Sequence, residues 1–233
     1  MSLFAVGDLH LPGGDDKPMD VFGPQWDRHF LRISESWRDQ VTDQDTVLVP
    51  GDISWAMRLE DAVPDLRLIG ELPGRKILIR GNHDYWWGGI GRVRAALPEG
   101  MYALQQDAID IGEAVVCGTR GWNIPTEENP LDAENEKIYQ RELSRLDLAL
   151  DSAKKMAGER PVIVMMHFPP LYQGQRQSGF TERMEAAGVR GCVYGHLHGA
   201  GIAAAFNGEW NGVNYQLTSC DSQEFTVRKI NFL

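Results

Sequence analysis

The chain has 233 residues, 42% of them hydrophobic and 24% charged, which is typical of a globular protein with a full core. Its formal net charge is −10 at pH 7, and an acidic surface repels nucleic-acid backbones and anionic membranes, so neither is expected as a partner. The sequence shows neither a signal peptide pattern nor an apolar run of about 18 residues, so we expect a cytoplasmic protein. Its three cysteines are far apart, which predicts reduced thiols.

Five short apolar runs, each interpreted as a buried β-strand, lead directly into residues that can bind a metal. The runs cover residues 3–6, 47–50, 76–79, 162–166 and 192–194. In open α/β sheets, ligands bind at the carboxyl ends of the strands. The sequence therefore predicts that the polar residues after these runs meet at one edge.

Apolar residues at helical spacing predict helices between these runs. The expected helices cover 26–41, a segment around 59–69 that contains Pro64, and a long segment with Tyr139 and Leu146 that ends at Gly158. His29 of the first helix is expected at the surface or at the edge of the core. Strands that alternate with helices favour a parallel sheet and an α/β fold, in one domain over residues 1–233.

Other segments predict turns and antiparallel pairing. Residues 109–117 read as a hairpin, and residues 203–233, with Asn-Gly at 207–208 and 211–212, read as antiparallel strands. A loop rich in glycine and proline over 11–18 is expected to rim the site. The glycines at 88–91 do not form a dinucleotide-binding motif, because Arg94 stands where a later glycine is required.

The residues after the strand runs form an ordered series of ligand types. Its blocks are Asp8-x-His10, Gly51-Asp52, Gly81-Asn82-His83-Asp84, His167 and Gly195-His196-x-His198. Imidazole, carboxylate and amide groups suit manganese, iron or zinc. The sequence has no cluster of cysteines, which argues against a structural zinc site. The series resembles the calcineurin-like metallophosphoesterase superfamily.

That resemblance implies a four-layer αββα sandwich of two mixed β-sheets flanked by helices. It also implies two divalent metal ions (manganese, iron or zinc) and hydrolysis of a phosphomonoester or phosphodiester by a metal-bridging hydroxide. By the family pattern, Asp8, His10 and His198 would hold one ion, Asn82, His167 and His196 the other, and Asp52 would bridge them. The substrate partner would be a small phosphorylated molecule.

The resemblance also suggests roles for residues near the metals. Together with Asp52, His83 would be catalytic by contacting the phosphate and protonating the leaving group, and Asn82 would also contact substrate. Asp84 either orients His83 or braces its loop. Arg80 and Arg120 either bind substrate phosphate or brace the surface.

Several alternatives remain open at this level. Protein phosphatases of the superfamily carry Asp and Arg where this chain has Trp55 and Ala56, which puts that subclass in doubt. A phosphodiesterase for cyclic nucleotides or nucleic-acid ends, a non-catalytic protein-binding scaffold and a mononuclear structural site are the other hypotheses. The sequence indicates neither the physiological substrate nor the oligomeric state.

Overall fold

A computed structural model describes residues 1–14, 19–126 and 130–232. In chain order, the strands of these residues are β1 (Leu3–Ala5), β2 (Thr46–Val49), β3 (Arg75–Leu78), β4 (Met101–Ala103), β5 (Ala108–Asp110), β6 (Val115–Thr119), β7 (Val162–Met166), β8 (Gly191–Tyr194), β9 (Gly208–Trp210), β10 (Val213–Leu217) and β11 (Arg228–Lys229). The α-helices are α1 (His29–Gln40), α2 (Leu59–Gly70), α3 (Ile90–Ala96), α4 (Ala133–Ala157) and α5 (Gly179–Ala187). Short 3-10 helices cover Met19–Phe22, Pro24–Trp26, Gly199–Ala204 and Cys220–Gln223.

The strands form two mixed sheets. One has the order β11-β1-β2-β3-β4, and the other has the order β5-β6-β7-β8-β10-β9. Neighbours inside each sheet are parallel, whereas β11, β5 and β9 are antiparallel edge strands. The predicted α/β sandwich of two mixed sheets with flanking helices is confirmed.

Three apolar layers hold the sandwich together. Between the sheets, Leu48 and Ile77 of one sheet belong to the same cluster as Ile163 and Met165 of the other. The opposite faces of the strands pack on helices, α1 and α2 against the first sheet and α4 and α5 against the second. Because both faces of the inner strands are buried, their sequences are continuous apolar runs rather than alternating patterns.

The predicted helices occur, with one shifted start. Trp26 belongs to a 3-10 helix, and Arg28 has a left-handed backbone (φ 46°), so α1 begins at His29 rather than at residue 26. The His29 side chain is buried and contacts the carbonyl oxygen of Leu9 at 2.8 Å, which makes it a core-edge residue. Helix α2 runs through Pro64, and α4 ends before Gly158, as expected.

The C-terminal segment differs in part from the prediction. Strands β9 and β10 form the expected antiparallel hairpin around Asn211 and Gly212, which both have positive φ. Strand β11 pairs antiparallel with β1 as well, whereas the parallel pairing of β10 with β8 was not predicted. Asn207 forms no second hairpin turn, and its side-chain oxygen instead accepts a hydrogen bond from Leu217 N.

Three further sequence predictions concern the chain as a whole. The cysteines at 117, 192 and 220 are all unpaired and buried, which confirms the prediction of free thiols. Residues 15–18 of the loop expected to rim the site lie outside the described residues. Within the described ranges, no helix combines the length and the apolar character needed to cross a membrane.

Candidate metal centre

The seven predicted metal ligands meet where the carboxyl ends of both sheets lie side by side. Loops after β1, β2 and β3 carry the ligands from the first sheet, and loops after β7 and β8 carry those from the second. Hydrogen bonds cross between the two sheets at this edge. His196 N donates to Asp8 Oδ1 at 3.0 Å, and His167 Nδ1 lies 3.0 Å from the carbonyl oxygen of Pro50.

One group of ligand atoms is formed by Asp8, His10 and His198, which lie within 4.8 Å of one another. His198 Nε2 is 3.2 Å from Asp8 Oδ1. Its other ring nitrogen, Nδ1, lies 2.8 Å from Asp221 Oδ1. An imidazole held through one nitrogen by a carboxylate presents the other nitrogen to a metal, as ligand histidines commonly do.

A second group is formed by Asp8, Asp52 and His167, again within 4.8 Å. His167 Nε2 is 3.4 Å from Asp52 Oδ2 and 2.6 Å from Asn82 Oδ1. The same Asn82 oxygen lies 2.9 Å from His196 Nδ1, so the three predicted ligands of one ion are in mutual contact through it. His167 Nδ1 contacts the carbonyl oxygen of Pro50 at 3.0 Å, which fixes the ring.

Asp52 is a member of the second group and also faces the first. Its Oδ2 is 3.4 Å from His167 Nε2 and 3.9 Å from His10 Nε2. Its Oδ1 accepts a hydrogen bond from His83 N at 2.8 Å. The carboxylate therefore faces both groups with one oxygen and is anchored by the other.

The electrostatics of these side chains suit a cation. Burial lowers the pKa of His10 to about 4 and, with help from His167, that of His196 to about 4, so both rings are neutral. Burial disfavours charge on His167 and His198 too, but Asp52 and Asp8 raise the pKa of His167 to about 9, and Asp8 and Asp221 raise that of His198 to about 10. His167 and His198 thus hold a proton because carboxylates concentrate negative charge around them, and a divalent cation can take the place of these protons.

The donor set therefore fits two divalent metal ions. It contains neutral or deprotonable imidazoles, two buried carboxylates and an amide oxygen, and its two groups share Asp8, with Asp52 in the second. Borderline metals such as manganese, iron and zinc accept these donors. The residues named from the sequence are those that the fold brings together.

Two glycines permit the close approach of the loops. A Cβ atom on Gly81 would lie 2.1 Å from Asp52 Oδ1, and one on Gly195 would lie 2.4 Å from Asp8 Oδ2. No real side chain tolerates such distances without moving its neighbour. Glycine is therefore required at both positions by packing against a carboxylate from another loop.

His83 and Asp84 occupy different environments. The His83 ring lies 4.4 Å from the Trp55 ring and 5.8 Å from the His10 ring, centre to centre. Its buried Nδ1 atom has no hydrogen-bond partner among the described residues. Asp84 is completely buried, and it accepts hydrogen bonds from three backbone N–H groups and one indole, but from no His83 atom in the described structure. These contacts support the bracing role for Asp84.

Comparisons with known proteins agree with this geometry. Residues 1–200 match the calcineurin-like phosphoesterase family. The chain belongs to that family. The Gene 66 protein of Mycobacterium phage D29 is 27% identical over 199 residues, which cover 84% of this chain and 78% of the phage protein.

Solved structures share the fold of this phosphoesterase. The phosphopantetheinyl hydrolase of Mycobacterium tuberculosis superposes with a TM-score of 0.56 at 14% identity, over 98% of this chain and 95% of the other. The protein TT1561 of Thermus thermophilus gives a TM-score of 0.53 at 15% identity, over 99% and 98% of the two chains. The family match makes the protein a phosphoester hydrolase, and the structures establish the architecture.

A cavity of about 310 Å³ opens directly onto the candidate centre of the phosphoesterase. His10, His83 and His198 form its inner wall. The rest of its lining is largely apolar and aromatic, and consists of Met19, Phe22, Gln25, Trp26, Trp55 and Gly199. Trp55 stacks on His10 with ring centres 5.0 Å apart, so it also supports a candidate ligand.

Arg80 and Arg120 line another cavity, of about 340 Å³. None of the seven candidate ligands is among its described lining residues. Contact between these arginines and the reacting phosphate stays a prediction.

Asp221 was missed in the sequence. It follows β10, and its two oxygens contact His198 Nδ1 at 2.8 Å and Gly199 N at 2.9 Å. The signal was present, because Asp221 comes shortly after an apolar run, but an antiparallel β10 would have ended at the opposite edge of the sheet. Two residues that line the aromatic cavity, Trp26 and Phe22, were also missed. Trp26 was assigned to a helix, and Phe22 was assigned to no element.

Proposed function

We propose that this phosphoesterase hydrolyses a small phosphomonoester or phosphodiester at a two-metal site, with an apolar leaving group in the aromatic cavity. The observation that carries the proposal is that one oxygen of Asp52 lies near His167 of the second ligand group and near His10 of the first. In the proposed assignment, Asp8, His10 and His198 hold one ion and Asn82, His167 and His196 hold the other. Asp52 is shared by both ions.

When bound, two such ions make a water molecule more acidic and offset negative charge on the phosphate oxygens. The protein supplies the positions of their ligands. Nδ1 of His198 faces a carboxylate oxygen of Asp221, and Nδ1 of His167 faces the carbonyl oxygen of Pro50. Each ring therefore turns its Nε2 inward. These outer contacts set the orientation of the donors before substrate arrives.

His83 is proposed to act on the leaving group. Its ring lines the aromatic cavity beside His10, and its backbone N–H is tied to Asp52 Oδ1 at 2.8 Å. A histidine in this place can donate a proton to the leaving oxygen while the phosphorus–oxygen bond breaks. Asn82 is proposed to contact the phosphate through its amide.

The leaving group is proposed to be apolar or aromatic because of the cavity that would receive it. Among its described lining residues, only histidines carry a titratable side chain, and Phe22 has 61% of its surface exposed at the rim. Flat rings stack on tryptophan and phenylalanine, whereas a charged group would lose solvation without gaining a partner. The phosphopantetheinyl hydrolase of the same fold acts, by its name, on a phosphoester, and that supports the reaction class only.

The first test compares an aryl phosphate with a bis-aryl phosphodiester. The full chain is loaded with manganese, and turnover is measured with and without a chelator, alongside metal content by elemental analysis. We expect hydrolysis of at least one substrate, two ions per chain, and loss of turnover after chelation or in Asp52→Asn. Asp39→Asn, at an exposed position of α1, is the matched control and is expected to behave like the parent.

Two results would contradict separate parts of this proposal. A single ion per chain with full activity would rule out the two-metal assignment. Two ions without turnover of either ester would instead rule out catalysis on aryl esters.

The leaving-group proposal is tested with phenyl phosphate and methyl phosphate. Phe22→Ala should lower kcat/KM for the phenyl ester about 10-fold and leave that for the methyl ester unchanged, because only the ring contacts this wall. An equal loss for both esters would mean that the cavity does not select the leaving group.

A further inference from the structure

The cavity that contains Arg80 and Arg120 has an unusual concentration of positive charge. Four arginines line it, namely Arg80, Arg120, Arg141 and Arg145. Glu142 is the one carboxylate among its described lining residues, in a chain whose formal net charge is −10. Cations gathered in a concave site of an acidic protein favour an anionic ligand.

Among these arginines, Glu142 accepts a short hydrogen bond from Arg145 alone in the described structure. Its side chain is fully buried, its Oε1 accepts from Arg145 at 2.6 Å and its Oε2 accepts from the hydroxyl of Thr119 at 2.5 Å. Arg120 and Arg141 approach only to 3.8 and 3.9 Å of Oε1. Both oxygens of the Glu142 carboxylate therefore already accept a short hydrogen bond, from Arg145 and from Thr119.

Arg80 has no carboxylate partner in the described structure, and its buried Nε atom has no hydrogen-bond acceptor. The Nε atom of Arg120 is buried without an acceptor as well. Burial lowers the pKa of Arg120, and the charges of Arg80, Arg141 and Arg145 add to this effect against the attraction of Glu142. Buried donors without acceptors are costly, and a guanidinium satisfies them best with a planar or tetrahedral oxyanion.

We propose that this cavity is a second anion site, which binds a phosphate-class oxyanion through Arg80 and Arg120, with Arg141 and Arg145 at its wall. The guanidinium groups of Arg80 and Arg120, which line the cavity, supply donors to the anion. It also offsets the mutual repulsion of the four guanidinium groups. Gln105, which lines the same cavity, adds an amide to the polar wall.

The second site is joined to the candidate metal centre by short stretches of backbone. Arg80 is two residues before Asn82, and the carbonyl oxygen of Arg120 accepts from His167 N at 3.1 Å and Phe168 N at 2.9 Å. The anion is therefore either a second charged group of the substrate or a free anion that binds beside the centre. Both sources share the same oxyanion chemistry.

Radiolabelled inorganic phosphate is the probe that separates this site from the metal centre. In equilibrium dialysis, the manganese-loaded full chain should bind two phosphates. Asp52→Asn should lose the site at the metals and keep the other. Arg80→Gln should weaken the other site about 10-fold or more and keep the one at the metals.

Arg80→Gln is the preferred variant because no described hydrogen bond or ion pair is lost with the guanidinium. Without phosphate, its thermal unfolding should match or exceed that of the parent, since repulsion is relieved. With phosphate, the rise in Tm should be smaller than in the parent, because binding to the folded state is weaker. Arg228→Gln, exposed on β11, is the matched control and should bind like the parent.

Several outcomes would overturn the proposal. One phosphate per parent chain, lost in Asp52→Asn, would show that only the metal centre binds it. Two phosphates of unchanged affinity in Arg80→Gln would place the second anion elsewhere. These binding results do not depend on turnover, so failure of the proposed function would be seen separately in the aryl ester assays.

The source of the anion is distinguished by kinetics. If the site receives a second charged group of the substrate, Arg80→Gln should raise KM for an ester with an additional phosphate by a larger factor than KM for phenyl phosphate. If the site binds a free anion, phosphate should change turnover of phenyl phosphate non-competitively in the parent and not in Arg80→Gln.

Discussion

Replacing Asp84 tests whether this carboxylate braces the loops of the site or orients His83. The completely buried side chain accepts three donors at Oδ1 and one, Gly81 N at 2.7 Å, at Oδ2. Its partners belong to the loops after β2 and β3, which carry Asp52 and Asn82. One side chain therefore fixes the distance between two loops that bear candidate ligands.

Asp84→Asn keeps an oxygen for three of these donors but turns an amide N–H₂ toward Gly81 N. A buried donor that loses its acceptor costs about 1–3 kcal/mol, so the free energy of unfolding should fall by that amount. For a chain of this size, each kcal/mol shifts Tm by roughly 2–4 °C. The expected fall in Tm is therefore about 2–12 °C, measured by circular dichroism with Asp39→Asn as the control.

The two roles of Asp84 give opposite patterns. Bracing predicts lower stability, with loss of activity following from displaced loops. An Asp84→Asn variant that unfolds within about 0.5 kcal/mol of the parent but turns over slowly would refute bracing. In that case, Asp84 would act through His83.

Three further predictions follow from the same geometry. His83→Ala should retain the parent metal content and Tm but slow turnover by about 10²-fold, because it removes a proton donor and no ligand; loss of metal would make His83 a structural residue. Gly81→Ala should destabilise the fold by about 1–3 kcal/mol, since its Cβ would lie 2.1 Å from Asp52 Oδ1, whereas Gly89→Ala, with open space around it, should not. Metal affinity should rise as the pH is raised toward the pKa of His198, about 10, because the proton on this ring must leave before a metal binds. Calorimetry in buffers of different ionisation enthalpy should detect the proton that is released.

The ligand set was readable from the sequence because its signal is local. Each candidate follows an apolar run directly, as His167 follows β7 and Asp52 follows β2 by three residues. Parallel strands bring their carboxyl ends to one edge, so local order becomes spatial proximity without any further information. The family resemblance then divided the ligands between two ions, and that division stays a prediction.

What the sequence concealed depends on pairing between distant segments. Nothing near β10 tells whether it runs parallel or antiparallel to β8, and this direction decides whether Asp221 reaches His198. The arginine cavity likewise combines the loop after β3, the end of β6 and the face of α4. Arg80 and Arg141 are 61 positions apart, so no spacing rule links them.

Backbone conformation explains how the loops hold so many ligands in a small volume. Asp8, His10, Asp52 and His196 all have left-handed backbones, with φ of 58°, 45°, 51° and 74°. Each costs roughly 1–2 kcal/mol for a residue with a Cβ, so the fold must offset the strain elsewhere. Backbone hydrogen bonds between the loops, from Asp8 N to Gly51 O at 2.9 Å and from His10 N to Asp52 O at 3.0 Å, hold these turns against one another. Because the strained loops from β1 and β2 stabilise each other, the folded backbone itself contributes to the positions of their ligands.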